Sequence, residues 1–210
     1  MRHDSAPPCP SPVEPVATPA NAVTLVRTVA AVAIGVWALA EASLPLVAAG
    51  YAVYWVGDIL DGVVARWLRQ ETRQGAVFDV VSDRACTGVL AAGFVAVRPQ
   101  AAVPLGVFLV QFMVLDCLLT LSFLRWPIVS PNYFWVVDRT VWRLNWSPPA
   151  KAANTGVVVV CLALGWVVAA TVVAVGVTLV KLWSLRAVHR LVDVRAGVAA
   201  VPPAPVGERT

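Results

Sequence analysis

Residues 57–84 read GDILDGVVARWLRQETRQGAVFDVVSDR, and they place four carboxylates in two segments that are otherwise apolar enough to lie in a bilayer: Asp58, Asp61, Asp79 and Asp83. On a helix, the first two carboxylates share a face with Gly62, Ala65 and Arg66, and the last two form an i, i+4 pair on the next helix. At about 1.5 Å per residue, the outermost two each lie about 12–15 Å from the intervening turn. The sequence therefore predicts that both acidic faces meet across one helical hairpin.

Four ionised carboxylates at low dielectric repel one another, so either their protons stay bound or cations neutralise them. Two divalent cations would cancel the four negative charges. Hard oxygen ligands without His or Cys favour Mg²⁺, Mn²⁺ or Ca²⁺ over zinc. A metal pair held by carboxylates is a recurring solution for phosphoryl displacement, so the hairpin predicts that chemistry.

The composition indicates an integral membrane protein. The 210 residues are 59% hydrophobic and 13% charged, and the mean hydropathy is +0.76. Long apolar runs without period-2 alternation favour membrane helices over a barrel. The net charge of +4 is better explained by cytosolic flanks and anionic lipids than by nucleic acid, because no basic, aromatic-interleaved patch lies outside the apolar runs. The four scattered cysteines are interpreted as small buried hydrophobic residues.

The spacing D-x2-D-G-x2-A-R-x8-G-x3-D-x3-D resembles the signature of the CDP-alcohol phosphatidyltransferase family at every defined position, from Asp58 to Asp83. The resemblance implies a CDP-diacylglycerol-type lipid as donor, an alcohol as acceptor and CMP as product. It implies that the four aspartates bind two divalent cations, Mg²⁺ or Mn²⁺, and that Asp83 is also the general base. The residues implied for CDP and phosphate binding in this hairpin are Gly62, Ala65, Arg66 and Gly75. Arg66 would either contact phosphate or hold an aspartate in place, and the three small residues would equally allow tight helix packing.

The first apolar run opens with Asn21, Thr24 and Arg27. Taken alone, Asn21 is an N-cap and Arg27 a residue that reaches back to the interface. A similar Asn-Thr-Arg pattern opens the first helix of the family, which implies that all three line the nucleotide site. The sequence Ala38-Leu39-Ala40 resembles a signal-peptidase site, but cleavage there would remove all three residues, and we expect the segment to be retained.

The order of apolar and polar segments predicts an all-α membrane domain at 21–191 between two disordered tails, 1–20 and 192–210. Six transmembrane helices are expected, the first four at 21–40, 46–68, 75–97 and 102–124. Residues 151–190 are longer than one span requires. We expect them to divide near residues 164–168, although one long tilted helix is the alternative.

The polar interruption 125–151 carries six aromatic residues suited to the membrane surface. Its basic residues are either flanking charges or a rim that binds an anionic acceptor: Arg125, Arg139, Arg143 and Lys151. Several family members have Gly-Lys followed closely by Thr at the start of the fifth helix, whereas this chain has Ala150 before Lys151. The basic rim favours glycerol 3-phosphate as acceptor, with phosphatidylglycerol, inositol phosphate and serine as alternatives.

The distribution of Lys and Arg places both termini in the cytosol, because the opposite-side turns hold only Arg98. Lys181, Arg186, His189 and Arg190 are expected to mark the exit of the last helix. The acidic hairpin then faces the cytosol from the cytoplasmic (inner) membrane.

A cation or proton transporter is the alternative of a different class, because intramembrane carboxylates also build ion pathways. Such a pathway should spread acids over several spans, whereas only Asp116 lies in a span outside the hairpin. Asp116 is open to two interpretations, direct chemistry or a hydrogen bond inside the bundle. Homodimers are usual among relatives, so the resemblance allows one here.

Overall fold

Helices account for the regular structure of the computed structural model, which describes residues 14–199. The first three are α1 (Pro19–Ala40), α2 (Leu44–Trp67) and α3 (Arg73–Val97). Both α2 and α3 pack against α1, where Ala31, Tyr54, Cys86 and Leu90 form a small apolar core. No strand occurs within residues 14–199. The all-α prediction is confirmed.

The fourth membrane segment, Pro99–Arg125, is one helical run of changing pitch. It contains a 3₁₀ turn (Pro99–Ala101), α4 (Ala102–Val110), a π-helical segment (Gln111–Asp116), α5 (Cys117–Leu121) and a second 3₁₀ turn (Ser122–Arg125). The π-helical segment widens the helix in the middle of the span. Such segments are rare and occur often at functional sites.

The aromatic interruption after this span folds into a buried cluster instead of lying along the surface. A 3₁₀ turn (Pro131–Val136) and α6 (Arg139–Asn145) bring Phe134 against Trp126 and Trp146. All three rings are buried. The expectation of surface-lying rings is wrong for these three, because the segment is long enough to fold on itself and bury them.

The remaining helices are α7 (Pro148–Lys151), a π-helical segment (Ala152–Gly156), α8 (Val157–Ala163) and α9 (Val167–Ala199). The turn before α9 contains Gly165 with φ +77, a left-handed conformation that glycine adopts without steric cost. Trp166 N–H donates to Cys161 O at 2.8 Å and Gly165 N–H to Leu162 O at 3.1 Å, the pattern of a Schellman cap. The predicted division near 164–168 is confirmed.

Five of the described helical segments are long and apolar enough to cross a membrane. The predicted sixth span is found as α9, whereas the predicted fifth span corresponds to residues 148–163, which are fewer than the about 20 residues that cross the hydrocarbon. The chain is therefore described as an integral membrane protein with five such segments. A crossing by residues 148–163 stays a prediction.

The structure describes only the parts of the two predicted tails that adjoin the membrane domain, residues 14–20 and 192–199. Helix α1 begins at Pro19, two residues before the predicted start, with the Thr18 side chain accepting from Asn21 N–H. Helix α9 continues to Ala199, past Leu191, where we expected the membrane domain to end. Residues 1–13 and 200–210 lie outside the described residues.

Lys181 does not mark the exit of the last helix. It lies in a buried stripe of α9 at spacings of three and four residues: Ala170, Ala174, Val177, Lys181, Ser184 and Val188. Only 4% of its side chain is exposed, and it is paired with Asp116. The prediction that Lys181 lies at the interface is wrong, because its register on α9 faces the bundle.

Candidate active site

Four carboxylates from α2 and α3 surround the guanidinium of Arg27, which enters from α1. Arg27 Nε donates to Asp61 Oδ2 at 2.8 Å, and Nη1 donates to Asp83 Oδ1 at 3.1 Å. Nη2 donates to Asp79 and lies 3.5 Å from Asp58 Oδ1. The predicted meeting of the two acidic faces is therefore seen, with an arginine between them.

Burial of this arginine depends on a glycine opposite to it. The Arg27 side chain is only 2% exposed. A Cβ added at Gly57 would lie 2.4 Å from Arg27 Cβ and 2.7 Å from its Cδ, closer than carbon atoms can approach. Gly57 precedes Asp61 by one helical turn on α2, so the backbone there leaves a channel for the arginine stem. Sequence reasoning missed Gly57, although its i, i+4 relation to Asp61 was the available signal.

Thr24 supports the same carboxylate. Its hydroxyl donates to Asp61 Oδ2 at 2.7 Å, and both side chains are buried. Asn21 lies one turn earlier, where Nδ2 donates to Val16 O and the amide oxygen is close to Gly75. A Cβ at Gly75 would lie 2.9 Å from Asn21 Oδ1, so the absence of a side chain there allows α1 and α3 to approach.

The donor set fits a hard divalent cation. Asp58, Asp61 and Asp79 each offer a carboxylate oxygen, and the three oxygens lie within 4.8 Å of one another. Oxygens bound to one Ca²⁺ or Mg²⁺ at about 2.1–2.5 Å are at most about 4–5 Å apart, so the spacing of the carboxylates fits one cation, which would have to displace the Arg27 guanidinium from between them. The donors are carboxylates without nitrogen or sulfur, as hard cations prefer. The guanidinium of Arg27 now fills the space between them.

A cavity of about 710 Å³ opens beside the carboxylates. Arg27, whose guanidinium lies between the aspartates, does not line it. The other residues predicted to contact CDP and phosphate all do: Asn21, Thr24, Gly62, Ala65, Arg66 and Gly75. Within residues 14–199 the Arg66 guanidinium makes no hydrogen bond or ion pair, and it folds over Gly62, where an added Cβ would lie 3.2 Å from both of its terminal nitrogens. Arg66 therefore does not hold an aspartate in place, and its donors remain for a ligand.

Of the four basic residues predicted for the acceptor, only Lys151 lines the cavity, and its Nζ donates to Asn132 Oδ1 at 2.8 Å. Arg125, Arg139 and Arg143 are exposed and do not line it. The register of α6 explains this, because its buried face carries residues 141 and 145 and so turns residues 139 and 143 outward. Of the predicted basic rim, only Lys151 therefore lies at the cavity wall.

A second charged cluster at the cavity was not predicted as such. Asp116 accepts from Arg84 Nη2 and lies 2.6 Å from Lys181 Nζ. The Arg84 guanidinium also stacks over the Phe112 ring at 4.0 Å. Asp116 therefore has two cationic partners within the bundle, in agreement with the interpretation that it is hydrogen-bonded there. The missed signal was Lys181 in a periodic apolar stripe, where a lone lysine needs a partner.

Glu71, which lines the cavity, accepts a hydrogen bond from the 3₁₀ turn Pro131–Val136. Tyr133 donates to Glu71 Oε2 at 2.7 Å. Burial, followed by the Glu71 carboxylate, raises the pKa of Tyr133 well above its ordinary value. The hydroxyl therefore keeps its proton and remains a donor to Glu71.

A family model described as CDP-alcohol phosphatidyltransferase matches residues 17–183. These residues span the helices that carry both charged clusters. Comparisons with curated proteins and with solved structures each give no match.

Proposed function

The chain belongs to the CDP-alcohol phosphatidyltransferase family, and from that premise we propose that it transfers a phosphatidyl group from CDP-diacylglycerol to glycerol 3-phosphate. The family supports phosphatidyl transfer from a CDP-lipid to an alcohol. The observation that carries the proposal is the convergence of Asp58, Asp61, Asp79 and Asp83 on one point at the cavity wall. The choice of glycerol 3-phosphate rests on Lys151 and the remaining basic residues of the cavity.

Each group has a proposed role. Asp58, Asp61 and Asp79 hold two divalent cations, Mg²⁺ or Mn²⁺, together with Asp83. When bound, the cations would screen the diphosphate and the charge that develops on its oxygens. Asp83 accepts the proton of the acceptor hydroxyl, whose oxygen forms the new bond to phosphorus. The bond from that phosphorus to the CMP oxygen breaks, and CMP leaves.

The uncommitted guanidinium of Arg66 supports a role in binding the diphosphate, because it lines the cavity without a protein partner among the described residues. Gly62 and Ala65 leave room for the nucleotide to approach α2. Thr24 holds Asp61 in place through its hydroxyl. In this proposal most of the catalysis is positioning and electrostatic stabilisation.

We further propose that the cavity faces the cytosol of the cytoplasmic membrane, where CDP-linked lipids and soluble acceptors meet. The positive charge of the loops and ends on one side supports this orientation.

The test is CMP release by detergent-purified protein with CDP-diacylglycerol and Mg²⁺. The acceptors are offered separately: glycerol 3-phosphate, phosphatidylglycerol, inositol phosphate and serine. We expect CMP with glycerol 3-phosphate and little with the others. Release with a different acceptor would reject the acceptor assignment, and release with none would reject phosphatidyl transfer from this donor.

A further inference from the structure

The cavity has a second polar region beyond Asp83. Four buried side-chain atoms within the described residues have no hydrogen-bond partner, and all four belong to residues that line this cavity: Arg84 Nε, Gln111 Oε1, Ser130 Oγ and Asn145 Oδ1. An unsatisfied buried polar atom costs about 1–3 kcal/mol. Their concentration at one cavity points to a ligand that supplies the missing hydrogen bonds.

Gln111 is the most informative of the four. It is 1% exposed and begins the π-helical segment that ends at Asp116. Because a π-helix closes at i, i+5, it brings Gln111 and Asp116 onto the same side of the span, facing the cavity. The local distortion of the helix therefore places an amide beside a charged cluster.

Asn145 lines the cavity from α6. Its Nδ2 donates to Val141 O at 2.8 Å and to Ser184 Oγ at 2.9 Å. These two bonds use both amide hydrogens and fix the orientation of the group. The oxygen is left without a donor, so Asn145 and Gln111 each offer an acceptor to a hydroxyl group.

The charges of the second region are unbalanced. Arg84 and Lys181 both pair with Asp116, so this cluster holds two cations and one carboxylate, and Arg84 also interacts with the charge of the neighbouring Asp83. Buried charges are retained where they are paired. An anionic oxygen at Arg84 and Lys181 would restore the balance and would also accept from Arg84 Nε.

We propose that this second region is the acceptor site, and that it selects a small polyhydroxy alcohol carrying a phosphate. Gln111 and Asn145 accept hydrogen bonds from hydroxyl groups, and Arg84 with Lys181 holds the phosphate. Arg84 follows Asp83 directly on α3, so an acceptor held there presents a hydroxyl near the proposed base. This inference rests on the proposed function and assigns its selectivity to residues other than the basic loop residues.

The test separates acceptor binding from donor binding. Gln111→Met keeps the volume and removes the oxygen, and Gln100→Met, on the exposed turn before α4, is the matched control. We expect Gln111→Met to raise KM for glycerol 3-phosphate about tenfold, the effect of one lost hydrogen bond. KM for CDP-diacylglycerol should stay unchanged, as should both constants in the control. An unchanged acceptor KM in a folded Gln111→Met protein would overturn the proposal.

Calorimetric titration of the purified protein gives a readout that needs no turnover. Glycerol 3-phosphate and inositol phosphate should bind more tightly than glycerol, and Lys181→Met should reduce that difference. Binding without CMP release would refute the proposed function and leave the acceptor site standing. CMP release with wild-type acceptor constants in both variants would refute the acceptor site and leave the proposed function standing. The absence of any polyol phosphate binding to the wild type would contradict both.

Discussion

Arg27 on α1 and Asp61 on α2 form a hydrogen-bonded ion pair of 2.8 Å with side chains only 2% and 7% exposed. The pair fixes the first helix to the acidic hairpin at its centre. Through the same guanidinium, Arg27 also reaches the two aspartates of α3. The three helices are therefore held together by the charges that form the candidate site.

Removing the positive charge of Arg27 should make the stability of the protein depend on divalent metal ions. Arg27→Gln leaves four carboxylates facing one another, and breaking a buried pair costs about 3–5 kcal/mol. We expect a large fall in Tm without added metal and a greater recovery in Mg²⁺ than the wild type shows. Thermal unfolding in detergent with and without Mg²⁺ measures both.

Arg98→Gln is the control for this substitution, since Arg98 lies in the turn after α3, away from the aspartates. Its Tm should respond to Mg²⁺ as the wild type does. An Arg27→Gln protein with the same response as the control would contradict the role given to the guanidinium.

The space at Gly57 should not tolerate a methyl group. Gly57→Ala puts a carbon 2.4 Å from Arg27 Cβ, and such overpacking costs about 1–3 kcal/mol. CMP release should also fall, because Arg27 and Asp61 are displaced. Gly176→Ala on α9 is the matched control, since nothing lies within 4 Å of its added Cβ. It should be neutral or stabilising by up to about 1 kcal/mol. Equal unfolding free energies for the two variants would refute the close contact.

The ends of α1 and α2 should gain stability from glycine. Ala42 (φ 45) and Arg69 (φ 54) adopt the left-handed conformation, which costs a residue with a side chain about 1–2 kcal/mol. Ala42→Gly and Arg69→Gly should each raise the unfolding free energy by about 1 kcal/mol. Ala33→Gly, at an exposed position inside α1, should lower it by a similar amount. If all three substitutions destabilise alike, the left-handed backbone at Ala42 and Arg69 does not cost stability.

The second charged cluster should behave as one unit. Asp116→Asn leaves Arg84 and Lys181 without their carboxylate and should cost about 3 kcal/mol. The double variant Asp116→Asn/Lys181→Met should lose less unfolding free energy than the sum of the two single losses, because the lysine has already lost its partner in Asp116→Asn. Urea unfolding of the wild type, both single variants and the double variant completes the cycle. Additive effects would mean that the two residues do not interact.

Much of the site could be predicted because its residues are local in sequence. The spacing from Asp58 to Asp83 sets both acidic faces on one hairpin, and helix geometry alone brings them together. The turn before α9 was also placed correctly from the length of the apolar run. In both cases the information lies within about 30 residues of chain.

The contacts between distant helices could not be predicted in the same way. Arg27 is 34 residues from Asp61, and nothing in either segment states how α1 rotates against α2. Lys181 was assigned to the interface because hydropathy alone does not distinguish a snorkelling lysine from one turned into a bundle. The exposed positions of Arg139 and Arg143 likewise depend on the register of α6, which only the folded chain defines.

The most direct test of the central claim is the rate of CMP release by Asp83→Asn with CDP-diacylglycerol, Mg²⁺ and glycerol 3-phosphate. A positioned general base contributes about 10²–10⁴ to a rate. We predict a loss of at least about 100-fold in kcat. Asp193→Asn, on an exposed position of α9, should retain the wild-type rate. A folded Asp83→Asn protein that releases CMP at the wild-type rate would contradict the account.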